Sequence, residues 1–294
     1  MTGDLWSQIF NFDNYGELFV LLQNSIIAGA VLGVVGGLIG VFVMSRDMAF
    51  AVHGISELSF AGASAGLLFG VGVVEGSILG SLVAAAVIGL LGARARDRNS
   101  IIAVLMPFGL GLGILCLSLY PGRTANKFGL LTGQIVAVDD PRLNSLIAIS
   151  IVVVIGLAVV WRPLMFASVD ADVASARGIP TRFLSLYFML LLGLAVAVSV
   201  QIVGSLLVLS ILVTPAAAAL RLSSSPVLVP LLSTIFAVVS LVGGIMLALG
   251  GSIPISPYVT TISFLIYVVC RVIGGRRSRR GNTGRTAAIM PVKG

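Results

Sequence analysis

A histidine and a glutamate four residues apart, His53 and Glu57, stand inside an apolar stretch of this chain, Met48–Gly72. On a helix that spacing is one turn, so both side chains share a face. An imidazole and a carboxylate are costly at membrane depth, and such groups face a pathway or a partner in preference to lipid. Together they offer nitrogen and oxygen donors suited to Zn²⁺, Mn²⁺ or Fe²⁺. The competing reading is a buried His–Glu hydrogen bond that locks two helices together. The sequence holds 1 histidine. One copy therefore supplies two good ligands where a tetrahedral site takes four, and a two-fold dimer would supply the pair twice. Ser56 and Ser59 are further candidate ligands, although hydroxyls in such helices more often bond to backbone.

The elements that must position this pair follow from composition. The chain is 58% hydrophobic and 10% charged, against about 25% charged residues in a soluble domain. It is therefore expected to be an all-α integral membrane protein. A bilayer core takes about 20 apolar residues per helix. Candidate spans fall near Leu18–Met44, Ala49–Gly70, Gly72–Leu91, Ser100–Tyr120, Leu143–Trp161, Phe183–Val200, Val203–Leu220, Val227–Leu249 and Tyr258–Ile273. That makes a bundle of about eight or nine helices. Only Gln201–Ile202 separates the sixth from the seventh, so one of the two is expected to be short or broken.

Charge sets the orientation. Arg46, Arg94, Arg96, Arg98, Arg162, Arg177, Arg182, Arg221, Arg271 and the basic residues from Arg276 to Lys293 fall on one side. Arg123, Lys127 and Arg142 fall on the other. The positive-inside rule makes the first side cytoplasmic. The N-terminus is then outside and the C-terminus inside. Residues 1–17 read as an outer segment, with Trp6, Ile9 and Phe10 on one face of a short interfacial helix over Leu5–Phe12. Residues 18–275 form the transmembrane domain. Residues 276–294 read as a flexible basic tail meeting anionic lipid headgroups.

The net charge of +7 does not imply nucleic acid, because the basic residues flank spans or form the tail and make no soluble basic face. The acidic, aromatic N-terminus does not read as a cleavable signal peptide. Gly29, Gly33 and Gly37, then Gly62, Gly66 and Gly70, then Gly109 and Gly113, recur every four residues and read as close helix packing. Cys116 and Cys270 read as small apolar residues in separate spans.

Three further segments bear on function. In Val203–Ser225 a bend is expected at Pro215, which lacks an N–H. Arg221 with Ser223, Ser224 and Ser225 then form a polar loop, either an ordinary connection or a docking element for a cytoplasmic partner. Asp170–Pro180 reads as a solvated turn. In the outer loop Pro121–Arg142, Asp139 and Asp140 are either a solvated turn, the commoner case, or candidate outer-mouth residues that would steer a cation. The sequence has no G-x-x-x-x-G-K-[ST], H-E-x-x-H or C-x-x-C motif and no Ser/His/Asp set. The chain reads as no enzyme, and any ATPase that drives it is another chain.

These segments, in order, resemble the permease subunits of zinc/manganese-type ABC importers. Arg46-Asp47-Met48 through His53, Glu57 and Gly62 is similar to the family segment that opens the second helix. Thr132–Val138, Asp170 or Asp172 through Ala174, Ala176 and Gly178, and Val203–Ala218 match three more, the last most specifically. Where that family has aspartate then histidine, this chain has His53 then Glu57. The resemblance implies a paired permease in a bacterial plasma membrane, cytoplasmic ATP-binding cassette subunits and an extracytoplasmic metal-binding protein. The metal (zinc, manganese or iron) would be cargo and not a resident cofactor. It also implies that Pro215–Ser225 holds or adjoins the ATPase-coupling element. A proton-coupled secondary metal transporter and a non-transport membrane scaffold are the alternatives.

Overall fold

The computed structural model describes residues 22–92, 95–121, 138–248 and 255–287. The described residues are helical, without strands: α1 (Gln23–Ser45), α2 (Ala49–Phe69), α3 (Val73–Leu91), α4 (Ala95–Leu119), α5 (Asp140–Val169), α6 (Ala171–Ala176), α7 (Thr181–Val203), α8 (Ser205–Leu222), α9 (Leu228–Ala248) and α10 (Ile255–Ala287). Among them, 7 helices are long and apolar enough to cross a membrane. The 21-residue α2 carries His53 and Glu57, which lower its hydropathy. α8 is apolar over Leu207–Leu222.

Every expected span coincides with a helix, with shifted ends. α5 runs 30 residues, well past the expected Leu143–Trp161, because Pro163 near its end does not break it. The break between the sixth and seventh spans falls at Gly204, whose φ of 80° and ψ of 160° suit a residue without Cβ. α8 remains helical on both sides of Pro215. Gly36 of α1 packs against the Ile211 carbonyl, the group that Pro215 leaves without an N–H. The last helix continues to Ala287, so residues 276–287 are helical where the sequence suggested a flexible extension. The interfacial segment over Leu5–Phe12, the family-like segment Thr132–Val138 and the last seven residues lie outside the described residues.

Glycine seams set the helix registers. Gly29, Gly33 and Gly37 of α1 face Leu241, Val238 and Thr234 of α9, an antiparallel pairing, and a Cβ on Gly33 would lie 2.8 Å from the Val238 backbone. Gly62 and Gly66 of α2 meet the backbone of Gly76 and Gly80 of α3 and of its N-cap Gly72, also antiparallel. Gly109 and Gly113 of α4 meet Leu58 and Phe60 of α2, a parallel pairing. Without a hydrophobic drive between helices in lipid, such close backbone contact is what holds them together. Gly70 departs from the expected packing role: it is the left-handed C-cap of α2, with nothing near the position of a Cβ. Cys116 and Cys270 are free and buried.

Candidate functional site

α2 is the most enclosed surface for chemistry. α3, α4, α7 and α8 all pack on it, and of its first three turns only the strip around Phe50 and His53 stays open. Gly109 of α4 sits on the backbone at Glu57, where a Cβ would come 3.0 Å from the Glu57 carbonyl carbon. Gly54 lets Ile102 of α4 approach one turn earlier. The site helix is thus gripped through its backbone, and its two polar side chains project to one side.

His53 Nε2 lies 3.9 Å from Glu57 Oε1, and their side chains are 25% and 3% exposed. Two ligands each about 2.0–2.2 Å from one ion are at most about 4.2 Å apart. The observed separation lies below that upper limit, about 0.5 Å wider than a tetrahedral pair, and beyond a hydrogen bond. His53 Nδ1 and Glu57 Oε2 are buried without any hydrogen-bond partner. Leaving such atoms unpaired costs about 1–3 kcal/mol each, so the arrangement does not fit a satisfied structural pair. It fits donors held for a ligand.

The hydroxyls are otherwise employed. Ser56 donates to the His53 carbonyl at 2.8 Å, which leaves that residue's ring free. Ser59 pairs with Ser77 of α3 at 2.7 Å, and Ser77 reaches the Ala197 carbonyl of α7 at 3.2 Å. These serines tie three helices together. Among the described residues no group of three or more His, Cys, Asp or Glu side chains gathers to hold a metal. His53 and Glu57 are the two donors that α2 brings together.

Asp139 and Asp140 are not near the pair. Asp139 is the N-cap residue of α5, and Asp140 accepts a 2.7 Å hydrogen bond from Asn24 at the start of α1. That is the end of α1 remote from the corner that leads into α2. Asp140 also suits the positive end of the α5 dipole. Ser223, Ser224 and Ser225 follow Arg221 at the end of α8, where Ser223 Oγ accepts from the Ser225 backbone at 3.1 Å. Pro215 is inside α8, two turns earlier.

Two features escaped the sequence reading. One is α6, a short exposed helix between α5 and α7. Asp170 caps it, accepting from the Asp172 and Val173 backbone at 3.0 and 2.9 Å, and exposed Val169 and Val173 flank and face it. An aspartate two residues ahead of a second aspartate is an N-cap signal that would have revealed it. The other is the corner between α1 and α2. There Arg98 of α4 donates to the Arg46 and Asp47 carbonyls, both at 3.3 Å. No local signal foretells that tertiary contact.

Alternating helices seamed by glycine around a buried two-donor site describe a multi-pass membrane transport protein. The chain belongs to the ABC 3 transport family, which it matches over residues 19–274. It is 30% identical to the manganese transport system membrane protein MntC of Listeria innocua over 225 residues, 76% of this chain and 80% of that one. It is 29% identical to the manganese import system permease protein ScaB of Streptococcus gordonii over 252 residues, 85% of this chain and 90% of the relative. Its fold is shared with PsaBC from Streptococcus pneumoniae in complex with Fab, with a TM-score of 0.79 and 24% identity over 88% of this chain and 95% of that chain.

Proposed function

We propose that the chain is the non-catalytic permease subunit of an ATP-driven importer of divalent transition-metal ions, with manganese the first candidate and zinc and iron next. The observation that carries the reading is the His53–Glu57 pair, two metal-type donors within chelating distance whose remaining polar atoms are buried without partners. The relatives named for manganese transport or import support the cargo class. A His/carboxylate pair accepts Mn²⁺, Zn²⁺ and Fe²⁺ alike.

In this reading the Arg-rich end is cytoplasmic. An extracytoplasmic metal-binding protein delivers the ion, and Asp139, exposed at the opposite end, adds cation steering there. A second copy supplies another His53 and Glu57, which completes four ligands about a two-fold axis. A separate ATP-binding cassette subunit drives the cycle. It docks on the cytoplasmic end of the bundle, where α6 and the Arg221–Ser225 segment project.

The test is reconstitution of the permease with its ATPase in liposomes, followed by ATP-dependent uptake of Mn²⁺, Zn²⁺ and Fe²⁺. Uptake is expected for wild type and lost in Glu57→Ala with the complex still assembled. Equal uptake by the His53→Ala/Glu57→Ala double variant would overturn the assignment of the site. Uptake by the permease alone along a pH gradient would favour a secondary transporter.

A further inference from the structure

The three residues that join α1 to α2 carry an unusual load. Asp47 has a φ of 51°, the one positive value among described non-glycine residues, a conformation that strains an L side chain. Arg98 reaches across from α4 to hold the carbonyls of Arg46 and Asp47. The Arg46 guanidinium lies over the Phe188 ring of α7 at 5.7 Å. Phe188 in turn meets Phe42, which sits edge-on to Trp161 of α5 at 4.9 Å. Five helices, α1, α2, α4, α5 and α7, therefore converge on one corner.

The charges at this corner are poorly compensated. Arg46 Nη1 and Arg98 Nε are buried without hydrogen-bond partners. Burial and the neighbouring Arg98 charge both hold the Arg46 guanidinium below its ordinary pKa. Asp47 is the acidic group that acts on Arg98, and its own side chain is exposed. Two like charges with unpaired donors are expensive to keep together.

Position gives this arrangement a use. Six residues separate Asp47 from His53, about 9 Å along the helix axis. Phe50 and His53 mark the open strip of α2, and that strip runs down to the corner. Arg46 and Arg98 carry the positive charge of the corner to which this strip leads. We propose that Arg46 and Arg98 form an inner charge gate, locked on the α1–α2 corner, that bars inward release of the cation until the corner opens. The proposal rests on the import reading above and adds to it the residues that keep the transporter closed between cycles.

The experiment uses the permease with its ATPase in liposomes holding a Mn²⁺-sensitive dye. It reads Mn²⁺ entry without ATP and with ATP for wild type, R98Q, R46Q, R98K and E57A, each first shown to co-purify with the ATPase. Glutamine keeps an amide donor for the corner carbonyls and removes the charge. The expected result is ATP-free entry raised roughly ten-fold or more in R98Q and R46Q, the scale of removing a unit charge about 10 Å from a divalent ion. R98K, which keeps the charge, is expected to remain as tight as wild type. R98Q and R46Q liposomes as tight as wild type, with uptake stopped in E57A, would overturn the gate and leave the import site standing. R98K as leaky as R98Q would also overturn it, since a lost hydrogen-bond clasp would then be the cause. Intact ATP-driven uptake in E57A would defeat the import-site reading itself, whatever the arginine variants do. Where R98Q does not assemble, R46Q against R46K decides in the same way.

Discussion

Glu57→Asp is the sharpest probe of the site because it keeps the charge and changes only the reach. Removing one methylene withdraws the carboxylate by up to about 1.5 Å. From the observed 3.9 Å, the His–carboxylate separation opens to roughly 5 Å, beyond the 4.2 Å or so that two bonds to one ion allow. One copy then loses bidentate capture even though its net charge is unaltered. Structural metal sites with four ligands bind with about 10–16 kcal/mol, or about 2.5–4 kcal/mol per ligand. Loss of one ligand is therefore expected to weaken Mn²⁺ binding on the order of 10²–10³-fold. Titration of Mn²⁺ into the purified complex, followed by the paramagnetic signal of the free ion, measures this without relying on turnover. Glu57→Gln keeps the bite and loses the charge, so it is expected to weaken binding as well. Wild-type affinity in Glu57→Asp would refute the chelation geometry. The pair would then be a long-range electrostatic feature.

Three other outcomes follow from the same structure. A ligating imidazole must be neutral, and its ordinary pKa is about 6.5; Mn²⁺ uptake is expected to fall as pH drops through that region, and a flat profile down to about pH 5 would count against direct ligation by His53. Gly109→Ala places a Cβ 2.7 Å from Leu58 Cδ1 and 3.0 Å from the Glu57 backbone, so overpacking is expected to cost about 1–3 kcal/mol, read as a lower melting temperature together with weaker Mn²⁺ binding. Val173→Asp puts a charge on the exposed apolar face of α6 and is expected to reduce co-purification of the ATPase while leaving Mn²⁺ binding to the permease unchanged; full co-purification would remove α6 from the docking surface.

The polar pair was legible because an imidazole and a carboxylate within an apolar helix have few structural explanations. The serines were legible for the same kind of reason: hydroxyls in apolar helices turn to backbone carbonyls, as Ser56 does. Span positions were readable from hydropathy, whereas their ends were not, since α5 continues through Pro163 to Val169 where the expected span stopped at Trp161. A missing N–H weakens one helical bond, but a neighbouring helix can shelter the freed carbonyl, as Gly36 of α1 does at Ile211. Gly70 fits the four-residue spacing of a packing stripe yet serves as a cap, because periodicity does not reveal where a helix stops. The Arg98 contact with the α1–α2 corner joins residues 51 and 52 positions apart, and nothing local encodes it.

The backbone of α2 is pressed on several sides by its neighbours, and its first half has a single open strip, near Phe50 and His53. Turning α2 about its axis would bring side chains into seams where only glycine fits, so rotation does not carry His53 and Glu57 from one side of the bundle to the other. Access must instead be switched by whatever covers that one strip, above the pair or below it. In the import reading proposed above, α2 is then a fixed post, and alternating access is a property of the walls that slide past it.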